Sequence, residues 1–453
     1  MITPLLPPKP KARAEKVSLR QYAKLFRKDI LSAQPARLYR AWMAEFRTPF
    51  FSSYLINQPE LVKLVLKERP DDFPKNGRVS EGLRPLLGDG VFLTNGELWK
   101  RQRRIIDPAF EGGRLRETFP SMWAAAEGAV KRLAPSVGRE IEVEQHTSHA
   151  TADVIFRTLF SIPIENEIAA EMFREFHRYQ RSQPLLNLAA VLPLPRWMPR
   201  FFRSATRGSA TKIRSAITQL TTERHAQIAA GIAPDDLATK IMTTADPMSG
   251  EKFTAEEMVD QVSIFFLAGH ETSASALAWA LYLMAMFPEW QDKVADEAQA
   301  GLVKEFSAIS KLRISRDVFR EALRLYPPVP MMVRQNTCPE EFRERDVRTR
   351  SQVVVIAWHL HRHERLWDNP DRFDPNRWNT ENGKTCMRDA YVPFSAGSRV
   401  CPGAGFALIE GVLLLSMILK QYRVTLTDRA PPEPVAHLTV RSKDGIYLKI
   451  EER

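Results

Sequence analysis

The most specific chemistry in the chain lies in ten residues, Phe394-Ser-Ala-Gly397-Ser-Arg399-Val-Cys401-Pro-Gly403, followed by an apolar helix predicted over Ala404 to Leu419. A cysteine just ahead of a helix sits where free backbone N–H groups and the helix dipole favour negative charge, so a thiolate is stabilised there. Gly397 and Gly403 remove side chains where a flat body must approach the backbone. Arg399, two residues before the cysteine, can reach an anionic group on the same body. A lone cysteine would read as a small buried residue. The flanking pattern turns it into an iron ligand, since a thiolate, a flat face and carboxylates together describe haem held by cysteine.

A second set lies in Ala268-Gly269-His270-Glu271-Thr272-Ser273, inside an otherwise apolar helix. A buried carboxylate is costly unless paired, which argues for purpose. An acid beside an alcohol can relay protons from solvent to a reacting oxygen. Thr272 can also bond back to a carbonyl one turn earlier and open the helix locally, and a helix kink with a satisfied Glu is the structural alternative. A zinc-protease reading of His270-Glu271 fails, because the fourth residue after His270 is Ala274. Glu321 and Arg324 form an i, i+3 pair on a predicted helix Ser315 to Leu325, and Trp99 and Arg103 share a face of another. His359, His361 and His363 alternate, as ligands on one strand face would.

The cysteine segment fills every defined position of F-x-x-G-x-R-x-C-x-G, and in this the chain resembles the cytochrome P-450 haem-thiolate monooxygenases over roughly residues 50–450. The resemblance implies haem b with Cys401 as axial iron ligand, and Phe394, Gly397, Arg399 and Gly403 around it. It matches Ala268 to Thr272 to the motif A/G-G-x-D/E-T, which places Ala268 and Gly269 over the haem, Thr272 beside dioxygen and Glu271 as its proton source. Trp99, Arg103 and Arg334 match propionate-binding positions. Glu321, Arg324 and Arg377 match a buried structural network, with Trp378 where the family usually has Phe, and the three histidines become structural. The implied reaction inserts one atom of dioxygen into a hydrophobic organic substrate, with electrons from a ferredoxin and its reductase, as in soluble bacterial members. The implied substrate pocket draws on residues 76–92, 182–200, Ile264 to Ala268, Val329 to Met332 and a turn near Leu438. The wording AGHET resembles fatty-acid hydroxylating members. A peroxide-driven peroxygenase and a non-catalytic haem sensor are the rivals; both keep Cys401, and the Glu271–Thr272 pair argues against each.

These residues need elements to hold them. Helical periodicity runs over Thr118 to Leu133, Ala150 to Phe160, Ala205 to Ile232 and Ala255 to Phe287. The last starts with a capping box, Thr254 and Glu257, and stops before Pro288. At ~1.5 Å per residue its roughly 30 residues cross a whole domain. Strands are predicted at Ser52 to Ile56 and Gln352 to Ala357, with a terminal hairpin of Val435 to Val440 and Gly445 to Ile450. The expected fold is mostly α with small β sheets, a single-domain cytochrome P-450 fold with a long central helix over the haem.

The chain has 453 residues, enough for about three domains of ~150 or one large one; a body enclosing a haem and a cavity favours one, at 51–453. Its formal charge is +11, yet residues 1–50 hold eleven basic and three acidic side chains, so the excess is mainly a basic N-terminal arm. Basic residues interleaved with exposed aromatics are not found, so nucleic-acid binding is not expected. Lys100, Arg101 and Arg104 are expected to face an acidic electron carrier. Cys338, Cys386 and Cys401 are too few for a disulfide framework and suit a reducing compartment. With neither a signal-peptide core nor an expected transmembrane anchor, a cytoplasmic location is expected.

Overall fold

The computed structural model describes residues 5–47, 52–182 and 204–453. The Pro-rich stretch 182–200 lies outside them apart from its first residue.

Seven helices build and support the site: α1 (Gly96–Ile106), α2 (Gly112–Leu133), α3 (Val143–Phe160), α4 (Glu167–Ser182), α5 (Ala255–Met286), α6 (Arg313–Leu325) and α7 (Ala404–Gln421). The 32 residues of α5 run through the core, and 25 of them are buried. Its capping box forms as read, with Thr254 Oγ1 accepting the Glu257 amide at 3.2 Å and Glu257 Oε2 accepting the Thr254 amide at 2.9 Å. Two glycines set its surroundings. A methyl group on Gly269 would lie 2.6 Å from Ile155 Cδ1 of α3, and one on Gly411 of α7 would lie 2.1 Å from the Phe319 ring of α6. Close helix approach therefore requires both positions to stay bare. Of the described helices only α7 has the length and hydropathy to cross a membrane, and most of it is buried in the protein core.

A four-stranded sheet runs in the order Met43–Arg47, Ser52–Ile56, Gln352–Val355, Met332–Gln335. Its first strand falls within the segment read as a solvated arm. Leu31, Ala33 and Leu38 are also buried, and the Asp29 carboxylate accepts the Ala436 amide at 2.6 Å. The second half of that arm is thus packed on the body. The terminal hairpin is corrected as well. Pro434–Ala436 pairs with Val440–Ser442, while Tyr447–Glu452 pairs with Tyr422–Leu426 and Glu140–Glu142. Local alternation identified the strands, but long-range pairing chose their partners.

Glu410 of α7 is fully buried against α5, where its Oε2 accepts the Ser273 hydroxyl at 2.5 Å. Burial pushes this carboxyl up to about 8. The folded chain then keeps a proton that the unfolded chain releases near pH 4.5, so stability falls as pH rises through this window by about 1 kcal/mol per unit. Glu410→Gln is expected to flatten that slope between pH 5 and 8, measured as denaturant midpoint against pH; an unchanged slope would show that Glu410 is ionised in the fold.

Candidate active site

The cysteine loop is fixed by its own backbone. The Cys401 amide donates to Phe394 O at 2.9 Å, and the Ala404 amide donates to Cys401 O at 3.2 Å where α7 begins. Gly397 has φ +68°, and a methyl group there would fall 2.0 Å from the Leu66 carbonyl oxygen. Its missing side chain admits the neighbouring Leu66 backbone. Gly403 does face open space, with nothing nearer to an added carbon than Cys401 Sγ at 4.0 Å. The surrounding protein atoms desolvate the Cys401 thiol and push it up, against the pull of the Gly403 amide and the Arg103 charge. A metal cation on the sulfur would hold it deprotonated.

Cys401 and Gly405 are exposed at the start of α7, and Ala268 is exposed in the middle of buried α5 with Gly269 and Thr272 half-exposed. One residue beyond Thr272 the two helices are tied together by Ser273 and Glu410. Exposed positions in two joined core helices mark the walls of an interior space. Its edge is cationic. Arg103, Arg399 and Lys75 stand over the Trp99 ring at 5.9, 4.8 and 5.6 Å. Arg103 pairs with Asp107 at 2.6 Å, and Arg399 lies 3.5 Å from Asp71 with its Nε buried and unpartnered. Arg334 is buried and makes no ion pair among the described residues; burial and Arg399 push its pKa down to about 10. Lys75, whose Nζ donates to Val91 O at 2.6 Å, is pushed down to about 6 by burial and by Arg334, Arg399 and Arg103. Two buried arginines, Arg334 and Arg399, with so little counter-charge fit the two carboxylates of a haem. Nothing local marks Lys75, a lone lysine ahead of Asn76-Gly77 that a backbone bridge to Arg334 brings to the site.

Thr272 Oγ1 donates to Ala268 O at 2.5 Å, the backward bond expected of it. Glu271, about 100° round the helix, turns elsewhere: its Oε1 accepts from Thr439 Oγ1 at 2.7 Å and meets the Arg441 guanidinium at 3.0 Å. Acid and alcohol are thus adjacent in sequence but not hydrogen-bonded to each other. Thr439 and Arg441 were missed because they lie some 170 residues further on. His270 points away to Ser148, 2.6 Å from its Nε2.

Glu321, Arg324 and Arg377 form the buried network as read, and Trp378 fits because its Nε1 reaches Asp317 O at 3.0 Å. The three histidines lie on a short helix and the turn after it rather than on a strand, all buried; His361 Nε2 accepts the Val392 amide at 2.9 Å. Lys100 meets Glu97 at 3.0 Å, Arg101 meets Glu257 at 2.6 Å and Arg104 meets Asp246 at 2.5 Å. The basic face expected there is largely neutralised.

The family model described as Cytochrome P450 matches residues 43–450. Cyclooctat-9-en-7-ol 5-monooxygenase of Streptomyces melanosporofaciens is 31% identical, over 84% of this chain and 82% of its own length. Cytokinin hydroxylase of Arabidopsis thaliana is 26% identical, over 87% and 78%. The crystal structure of the cytochrome P450DA haem domain superposes with a TM-score of 0.81 at 24% identity, covering 99% of this chain and 98% of that one, and so shares the fold. The match runs from the first strand of the four-stranded sheet to the last strand of the fold, and with it the chain belongs to the cytochrome P450 family, as a monooxygenase with haem as its cofactor.

Proposed function

We propose that this chain oxidises a hydrophobic small organic molecule with dioxygen, using electrons delivered by a separate ferredoxin and its reductase. The observation that carries the oxygen-activating reading is Thr272, half-exposed to the interior space and bonded back to Ala268 O. Bound haem supplies one-electron redox chemistry and the binding place for dioxygen. Cys401 would hold that group through its sulfur, while Arg103, Arg334 and Arg399 would neutralise its carboxylates. Thr272 holds a hydroxyl proton at Oγ1, which it can redirect from Ala268 O. Glu271 refills it: released from Thr439 and Arg441, its carboxyl carries a proton from solvent, which Arg441 reaches with 39% of its side chain exposed.

Thr272→Ala is expected to keep electron consumption but to cut product per electron about tenfold or more, with peroxide as the balance, because a positioned proton donor is worth ~10²–10⁴ in rate. A peroxide-driven enzyme would be indifferent to this substitution, so unchanged coupling would favour that rival.

Support for an apolar substrate comes from the small organic substrates named for the two relatives above. Carrier docking leans on apolar contact, since Leu98 is 42% and Val400 36% exposed near Cys401 while Lys100, Arg101 and Arg104 are paired. Reduction by ferredoxin is therefore expected to change less than about threefold between low and 0.3 M salt; a steep fall would restore the charged-face reading. The three cysteines are all free, which suits the cytoplasm as the compartment.

A further inference from the structure

A half-open cleft of about 720 Å³ lies among α2, α3 and α4, and none of its lining residues belongs to the Cys401 site. That volume suits a small ligand. Its floor is apolar, with Leu133, Val143, Leu281 and Ile418. Its rim carries Arg132, Arg174, Arg178, His146, His149 and His177, and among the described residues no aspartate or glutamate lines it.

The rim charges are unequally satisfied. Arg132 meets Asp153 and Glu165, and Arg178 meets Glu175. Exposed Arg174 makes no ion pair among the described residues. His149 is kept neutral by burial and by Arg132, and its Nδ1 is buried with no hydrogen-bond partner. One uncommitted cation and one unpartnered imidazole nitrogen above an apolar floor ask for a single negative charge on an apolar body; a dianion would leave charge unmatched.

The cleft touches the central helix. Phe173 stands edge-on to His149 at 5.4 Å and to His177 at 4.5 Å, and lies 5.6 Å from the His270 ring. His177 Nε2 is 3.3 Å from Ser148 Oγ, which is 2.6 Å from His270 Nε2, and Thr151 Oγ1 donates to His270 O at 3.1 Å. His270 sits between Gly269 and Glu271, at the level where Thr272 bonds back. A body pressed against Phe173 and His177 therefore bears on the segment of α5 that carries the acid and the alcohol.

We propose that this cleft is a second ligand site, for an amphipathic monocarboxylate, and that its occupancy is coupled through His177, Ser148 and His270 to the centre of α5. Binding here does not depend on the reaction proposed above; only the coupling refers to that site.

The test uses the haem-loaded protein saturated with 4-phenylimidazole, so that the iron pocket is filled. Decanoate titrated calorimetrically is expected to bind one equivalent saturably, with decanol and inorganic phosphate at least about tenfold weaker. Arg174→Glu, at an exposed position, is expected to weaken decanoate about tenfold or more and to leave decanol unchanged; His149→Phe is expected to act in the same direction. Both variants should keep the wild-type ferrous carbon-monoxide spectrum. Decanoate is also expected to shift 4-phenylimidazole affinity to a plateau of about fivefold, the plateau separating coupling from competition at the iron. Binding that vanishes in the blocked protein, or an unchanged decanoate affinity in Arg174→Glu, would overturn the site. A shift with no plateau would overturn the coupling.

Discussion

Cys401→Ala is expected to abolish the red-shifted band of the ferrous carbon-monoxide complex and to lower turnover at least about a thousandfold, on the order of 4 kcal/mol of transition-state stabilisation. Sulfur is the one group in the loop that can bond iron, and the rest of the loop is arranged to present it. The Cys401 amide is tied to Phe394 O and its carbonyl to the Ala404 amide, so the side chain alone is left to act. The sulfur would hold the iron, and the iron's positive charge would in turn hold the sulfur as a thiolate. Neither of the other cysteines can substitute. Cys386 is buried and its thiol, raised to about 11 by burial, bonds the Leu366 carbonyl at 3.1 Å, while Cys338 reaches Glu340 at 3.1 Å. Alanine at either of these two is expected to leave the spectrum intact. A thiolate band that survived in Cys401→Ala would remove Cys401 from the iron.

The parts of this site that were legible in the sequence are those whose chemistry is local. Thr272 bonds back within one turn and the Cys401 loop closes on Phe394, so their local geometry was legible in the spacing, while the roles expected of them rest on the resemblance to the family. What was not legible depends on topology. Lys75 joins the site because residue 75 bridges Arg334, some 260 residues away, and Arg441 captures Glu271 from the far end of the chain. The same blindness explains Arg101. On its helix it looks like a docking charge, yet it meets Glu257, the residue that closes the capping box of α5. Gly397 shows a subtler limit. The sequence says that a side chain is forbidden there, but only the packed structure says that the obstacle is the Leu66 backbone.

Glu321→Ala is expected to cost about 3–5 kcal/mol of stability and to leave most of the purified protein without haem, although Glu321 touches no ligand. Its carboxylate faces two buried arginines, Arg324 at 2.7 Å and Arg377 at 3.2 Å, and also accepts the Asp374 amide at 3.2 Å. Those arginines spend their remaining donors on an irregular stretch of backbone. Arg324 bonds the carbonyls of His361, Pro370 and Arg372 at 2.8, 2.7 and 2.9 Å, and Arg377 bonds Asn369 O at 3.1 Å and Arg372 O at 3.3 Å. This meander, residues 361–380, has little regular structure of its own, so its carbonyls depend on these side chains. From there the path to the iron is short. Arg324 holds His361 O, the His361 ring accepts the Val392 amide at 2.9 Å, and two residues later Phe394 O anchors Cys401. Removing the one carboxylate leaves two buried positive charges facing each other, and relaxation pulls on the chain that positions the cysteine. Glu321→Gln keeps acceptor and shape but not charge, so it should fall between alanine and wild type in both urea midpoint and haem absorbance per chain. Wild-type values for Glu321→Ala in both measurements would show that the arginines hold the meander unaided.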